Sequence, residues 1–212
     1  MTGEETATGI DTPRGPARVT WHPSTSGPAR ALLLLGHGAG GGIGAPDLVA
    51  ATAAATAAGC DVGLVEQPYR VAGRRAPAPA GHLDEAWLAV AAAVRKDGDL
   101  PLLQGGRSSG ARVVCRTAAA TGAAGVLCLA FPLHPPGRPE RTRLPELDGA
   151  GVPVLVVQGR SDRFGVPDPG PDRRVVLLDG DHGLKKQHAE LRSAVGEWLT
   201  GFTRPGDARP RS

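Results

Sequence analysis

The chain predicts a doubly wound α/β fold, a mostly parallel sheet with helices on both faces, and three observations carry that expectation. Short apolar runs such as Leu32-Leu33-Leu34-Leu35 and Val154-Leu155-Val156-Val157 are unbroken, as strands buried on both faces require. Segments with helical spacing alternate with them; Leu83, Ala86, Trp87, Val90, Ala91 and Val94 fall on one face of a single stretch. Within 212 residues there is no internal repeat and no insertion long enough for a cap domain.

Taken in order, residues 1–16 are polar and rich in Thr, Gly, Pro and Glu, and are expected to form a disordered leader. A single domain then spans 17–203. Ala17–His22 alternates as an edge strand should, and the apolar run over 30–35 follows as a buried one. Pro46 opens an Ala-rich helix that stops at Gly59, and residues 61–66 form the next strand. Residues 67–81 are expected to be loop. A helix follows from about His82 to Lys96, with Gly98 as its stop, and then a strand over 101–104 and a helix to about Thr121. Strands are expected over 125–131, 152–158 and 175–178, with a Pro-rich connection over 132–145. A last helix from about Lys185 to Thr200 precedes an Arg-rich, disordered tail over 204–212.

Composition narrows the function classes. The net charge is +3, but only three of the 24 basic residues are lysines, and the arginines are scattered among acids without interleaved aromatics. That pattern does not make a nucleic-acid surface. No apolar run approaches a membrane span and the N-terminus lacks a signal-peptide core, so a cytoplasmic protein without membrane contacts is expected. Cys60, Cys115 and Cys128 sit in apolar settings without metal-ligand spacing, which reads as buried free thiols in a reducing compartment. Neither a metal nor another cofactor is called for.

The chemistry is concentrated where the apolar run Leu102-Leu103 ends in Gly106-Arg107-Ser108-Ser109-Gly110, followed at once by a helix-forming segment. In that strand–turn–helix context the two glycines allow a turn sharp enough to hold a serine hydroxyl out at the sheet edge. A serine hydroxyl is a poor nucleophile until an imidazole takes its proton and a carboxylate orients that imidazole. Asp162 lies just past the strand Val154–Val157, and His182 just past Val175–Leu178, in the order Ser, acid, His. Both belong at the carboxyl edge of the sheet. The backbone N–H groups of Ser109 and Ala39 are the expected oxyanion donors. His37 is expected to orient the oxyanion loop, and Tyr69, Arg70, Arg107, Phe131, His134 and Phe164 to wall a shallow substrate pocket. Arg70, Arg74, Arg75 and Arg107 together could favour an anionic group, or could be surface arginines paired with acids. Asp179 and Asp181 read as turn formers, and His22, His82 and His188 as edge, helix-start and helix-surface residues.

Several of these segments together resemble a known family. Gly36-His37-Gly38-Ala39-Gly40-Gly41, Pro68-Tyr69-Arg70, Gly73-Arg74-Arg75-Ala76-Pro77, the Ser108 pentapeptide, His134-Pro135-Pro136-Gly137, Val157-Gln158-Gly159 and Gly180-Asp181-His182 are similar to the small α/β-hydrolases related to dienelactone hydrolases. That family includes the α/β-hydrolase-like part of a scaffold subunit of a eukaryotic histone-acetyltransferase complex. The resemblance runs from about residue 18 to 202. It implies a cap-free α/β-hydrolase fold with Ser108 as nucleophile, Asp162 as acid and His182 as base. Dienelactone hydrolases proper carry cysteine in the elbow; with serine here, dienelactone itself is not the expected substrate.

The expectation is therefore a serine hydrolase of the carboxylesterase or thioesterase type, monomer or homodimer, acting on a small-molecule ester or thioester. Two rivals stand beside it. One is a catalytically idle scaffold or binding protein of the same fold. The other is an NAD(P)-binding protein, because Gly36-x-Gly38-x-x-Gly41 follows a buried strand and Glu66 ends the next. Against the latter, Pro46 starts the helix well beyond Gly41, away from any pyrophosphate held by the glycines.

Overall fold

The computed structural model describes residues 6–95 and 99–203. Eight strands form one sheet: β1 (Thr6–Ile10), β2 (Ala17–His22), β3 (Ala31–Gly36), β4 (Cys60–Glu66), β5 (Leu102–Arg107), β6 (Gly125–Leu129), β7 (Val154–Gly159) and β8 (Arg173–Leu178). Their spatial order is β1-β2-β4-β3-β5-β6-β7-β8. The pairings from β4 through β8 are parallel, and β1 with β2 and β2 with β4 are antiparallel. The helices are α1 (Pro46–Ala57), α2 (Pro68–Val71), α3 (Ala80–Arg95), α4 (Ser109–Thr121), α5 (Leu144–Asp148) and α6 (His188–Thr203). This is an α/β-hydrolase architecture with no cap over the sheet edge.

The unbroken apolar strands divide their side chains between two cores, because successive residues of a strand point to opposite faces. Leu33 and Leu35 join Leu48, Ala51, Leu191, Val195 and Leu199 beneath α1 and α6. Leu34, one residue between them, packs with Trp87, Val90, Val113 and Val114 beneath α3 and α4. α1 therefore shares one layer with α6, and α3 shares the other with α4.

Four expectations need correction. The leader supplies a strand: β1 pairs with β2 from Thr6↔Trp21 to Ile10↔Ala17, its backbone groups satisfied by the sheet although its side chains are mostly exposed. Polar composition hides such a strand, since the ladder needs no apolar side chains. Accordingly β2 is not the edge; β1 is. Inside the expected loop 67–81, Pro68 starts the helical turn α2, and within the Pro-rich connection Pro145 lies in the first turn of α5. Lys96–Gly98 and the expected tail over 204–212 lie outside the described residues.

Candidate active site

The sharp turn at Ser108 follows from close packing around it. Ser108 takes φ 53° and ψ −112°, a conformation that costs about 1–3 kcal/mol in a non-glycine residue. A Cβ on Gly106 would lie 2.4 Å from the backbone of Gly110, and one on Gly110 would lie 2.7 Å from the carbonyl oxygens of Gly36 and His37. Both glycines are thus required for β5 to turn directly into α4 beneath the β3 loop. Ser108 N–H donates to the Leu129 carbonyl at 2.9 Å, anchoring the turn to β6.

Ser108 Oγ–H donates to His182 Nε2 at 2.8 Å, and His182 Nδ1–H donates to Asp162 Oδ2 at 2.8 Å. Three residues separated by up to 74 positions thus form one hydrogen-bonded chain at the carboxyl ends of β5, β7 and β8. Asp162 is held from two further sides: Phe164 N–H donates to Oδ1 at 2.9 Å, and Gln158 Nε2–H donates to Oδ2 at 2.8 Å. The acid and histidine loops are stitched together because the Ser161 N–H and hydroxyl both donate to the Gly180 carbonyl. They approach so closely that a Cβ on Gly159 would lie 2.3 Å from the Asp181 carbonyl oxygen. The competing acids are engaged elsewhere. Asp181 Oδ1 accepts from Gly183 N–H at 2.8 Å, and Asp179 pairs with Arg160 at 3.2 Å.

The loop after β3 is fixed through His37. Gln67 N–H donates to His37 Nε2 at 3.1 Å, which leaves the ring proton on Nδ1 to donate to the Gly38 carbonyl at 2.9 Å. Burial lowers the pKa of His37 and keeps the ring neutral, as this tautomer needs. Because the Gly38–Ala39 peptide is trans, holding its carbonyl toward His37 turns the Ala39 N–H to the opposite side. On the next peptide, the Ala39 carbonyl accepts from Tyr69 Oη–H at 3.1 Å. Among the described residues neither Ala39 N–H nor Ser109 N–H donates a hydrogen bond, so both are available as donors. Ser109 also begins the 13-residue helix α4, whose N-terminal dipole favours negative charge there.

The other expected wall residues divide. The Phe164 ring packs against the His182 ring, centroids 4.3 Å apart. Tyr69 is buried and supports the loop after β3 through its hydroxyl. Phe131 does not wall a pocket: it is fully buried in the α3–α4 core, and its carbonyl accepts from Gln158. His134 backs the acid loop, its N–H donating to the Phe164 carbonyl and its ring lying against Gly165. Arg107 is not free to take a substrate anion. Its Nε–H donates to Asp47 Oδ2 at 2.9 Å and its Nη2–H to the His182 carbonyl at 3.2 Å. Burial raises the pKa of Asp47, while Arg107 acts in the opposite direction. Arg70 lies beside Gly42 in the loop after β3 and meets no carboxylate among the described residues.

Two contributors escaped the sequence reading. Asp47 sits in the first turn of α1, where an acid reads as a helix-start residue; only the fold brings Arg107 to it. Gln158 is the signal that was present: a polar residue ending the apolar run of β7, fully buried and donating to Asp162, Phe131 and Gly165. Two features count against the dinucleotide reading. α1 begins at Pro46, beyond the glycines, and the Glu66 carboxylate is paired with Arg18 at 2.6 Å. Among the described residues no group of three or more His, Cys, Asp or Glu could hold a metal ion, and no helix is long and apolar enough to cross a membrane.

A family model described as an alpha/beta hydrolase domain matches residues 29–199. The chain belongs to that family. Comparison with curated proteins finds no match. Among solved structures, this α/β-hydrolase domain is similar to a lid-less α/β serine hydrolase from Xanthomonas campestris, at 22% identity and TM-score 0.75 over 99% of each chain. It is also similar to the esterase domain of a Rhodothermus marinus protein, at 14% identity and TM-score 0.72 over 95% of this chain and 100% of that one. A third is a dienelactone hydrolase from Anabaena variabilis, at 14% identity and TM-score 0.71 over 96% of this chain and 100% of that one. At these identities the likeness is one of fold. It bears out a hydrolase domain related to dienelactone hydrolases in architecture.

Proposed function

We propose that this α/β-hydrolase domain is a serine hydrolase cleaving a small ester or thioester through an acyl-enzyme on Ser108. The observation that carries the reading is the Ser108–His182–Asp162 hydrogen-bond chain, with 2.8 Å at each link, built on a strained serine. Ser108 Oγ attacks the substrate carbonyl carbon while its proton passes to His182 Nε2. The oxyanion is met by the Ser109 and Ala39 N–H groups. Collapse breaks the bond to the leaving oxygen or sulfur, which takes the proton from Nε2. Water then attacks the acyl carbon, giving its proton to the same nitrogen, and release of the acid returns that proton to Ser108. Asp162, bonded to Nδ1, holds the ring in this tautomer and stabilises the imidazolium.

The absence of a cap argues for a short acyl group, since a long chain gains about 0.8 kcal/mol per methylene only where apolar surface covers it. The idle-scaffold alternative gives no reason to keep a serine at φ 53° aimed at a histidine, an arrangement that costs stability. The esterase named in one structural neighbour's description agrees with an ester substrate. Labelling with a fluorophosphonate probe tests the proposal: the native protein is labelled, and Ser108→Ala is not. Persistent labelling of that variant, or no labelling of the native protein, would refute it.

A further inference from the structure

The segment between α2 and α3, Gly73-Arg74-Arg75-Ala76-Pro77-Ala78-Pro79, is not used by the chemistry above. Its start is pinned: Gly73 N–H donates to the Arg70 carbonyl at 2.9 Å, and Arg74 N–H to the Tyr69 carbonyl at 2.8 Å. From there the chain runs around a cavity of about 610 Å³ before α3 begins. That volume lies within the range of small-molecule sites, about 300–1,000 Å³.

The lining has two characters. Pro68 and the buried Leu83 give it an apolar floor, while Arg14, Arg74, Arg75 and His82 stand around it. Arg14 is already neutralised by Glu85 at 2.6 Å. Arg74 and Arg75 meet no carboxylate among the described residues, and no Asp or Glu lines the cavity. Two guanidinium groups over an apolar floor are matched to a planar carboxylate or a phosphate carried on an apolar body. Gln67 also lines the cavity, and its Nε2 donates to the Leu83 carbonyl at 3.2 Å, which ties the start of α2 to the floor residue.

We propose that this cavity is a second binding site, for a small organic anion whose carboxylate or phosphate lies on Arg74 and Arg75 and whose apolar part covers Pro68 and Leu83. It is distinct from the Ser108 site: the buried Tyr69 stands between them, lining the cavity while its hydroxyl meets the Ala39 carbonyl in the oxyanion loop. The proposal does not depend on Ser108 being a nucleophile.

The test is a titration of the full chain with phenyl phosphate, benzoate, inorganic phosphate and phenol, followed by backbone amide chemical shifts. Phenyl phosphate or benzoate should give saturable shifts centred on residues 67–83, and which of the two binds more tightly distinguishes phosphate from carboxylate. Inorganic phosphate and phenol should each bind more weakly than the better aryl anion. Arg74→Gln/Arg75→Gln, at exposed positions, should weaken that anion by roughly tenfold or more with an unchanged melting temperature. No saturation by about 10 mM, equal affinity in the double variant, or shifts centred on Ser108 and His182 would overturn the proposal. Inorganic phosphate binding as well as phenyl phosphate would overturn the organic part of it. The fluorophosphonate experiment reads Ser108 separately, so the two readings fail independently.

Discussion

Replacing Arg107 by Met separates what the Arg107–Asp47 pair does for folding from what it does for the site. The Asp47 side chain is 1% exposed and that of Arg107 18%, so the pair is screened far less than a surface bridge. Arg107→Met leaves the Asp47 carboxylate buried opposite an apolar chain. Breaking a buried pair from one side costs about 3–5 kcal/mol. A chain of this size loses about 2–4 °C of melting temperature per kcal/mol, so Tm should fall by roughly 6–20 °C. Asp47→Leu/Arg107→Met removes both charges, and replacing a buried pair by apolar groups is often close to neutral. The double variant should therefore recover most of the lost Tm, short of about 1 kcal/mol for the Leu48 N–H that Asp47 also accepts. Activity should not recover. Both variants lose the bond from Arg107 to the His182 carbonyl, and a histidine loop displaced by about 1 Å costs on the order of 100-fold in kcat. Thermal melts and steady-state kinetics on a p-nitrophenyl ester read the two effects, with KM expected to change little. A double variant with native kcat would show that Arg107 serves folding alone. An unchanged Tm in Arg107→Met would refute the buried pair.

Three further outcomes are expected. Gly159→Ala forces the acid and histidine loops apart, because its Cβ would meet the Asp181 carbonyl at 2.3 Å; kcat should fall by about two orders of magnitude with the fold retained, and native activity in that variant would contradict the packing. For pH, the folded-state pKa of His37 is depressed by burial, so its contribution to stability is fully present above the unfolded value near 6.5 and is lost as pH falls through the lower folded value. His37→Gln should therefore flatten the acid side of the stability–pH curve, measured by denaturant melts; an unaltered slope would mean that His37 is not the titrating group. Finally, kcat/KM on p-nitrophenyl esters should peak between acetate and butyrate, whereas a steady rise to dodecanoate would reveal an apolar channel inconsistent with a cap-free site.

The parts of this protein that could be read in advance are those with local causes. Leu32–Leu35 and Val154–Val157 are buried strands because nothing polar interrupts them, and Gly106-x-Ser108-x-Gly110 turns sharply because no Cβ obstructs it. Asp162 and His182 lie at one sheet edge because each follows its own strand, β7 or β8. Readings based on side-chain type at that edge did less well. Phe131 follows β6 as a wall residue would, yet it turns into the core, and Arg107 turns to Asp47. β1 was missed because Thr6–Ile10 carries no apolar alternation and exists as a strand only because β2 offers it a ladder.

Local pattern and strand order suffice to put Ser108, Asp162 and His182 at one edge of the sheet. Only long-range packing closes the Ser108–His182 and His182–Asp162 links at 2.8 Å, sets Gln158 on the carboxylate and braces the histidine loop with Arg107. It also decided that His37 turns the Gly38–Ala39 peptide. The physical reason is that a backbone turn or an amphipathic period is written in neighbouring residues. A side chain's partner depends instead on which distant strand the sheet brings beside it, and Asp47 and Arg107, 60 positions apart, meet only when β3 pairs with β5.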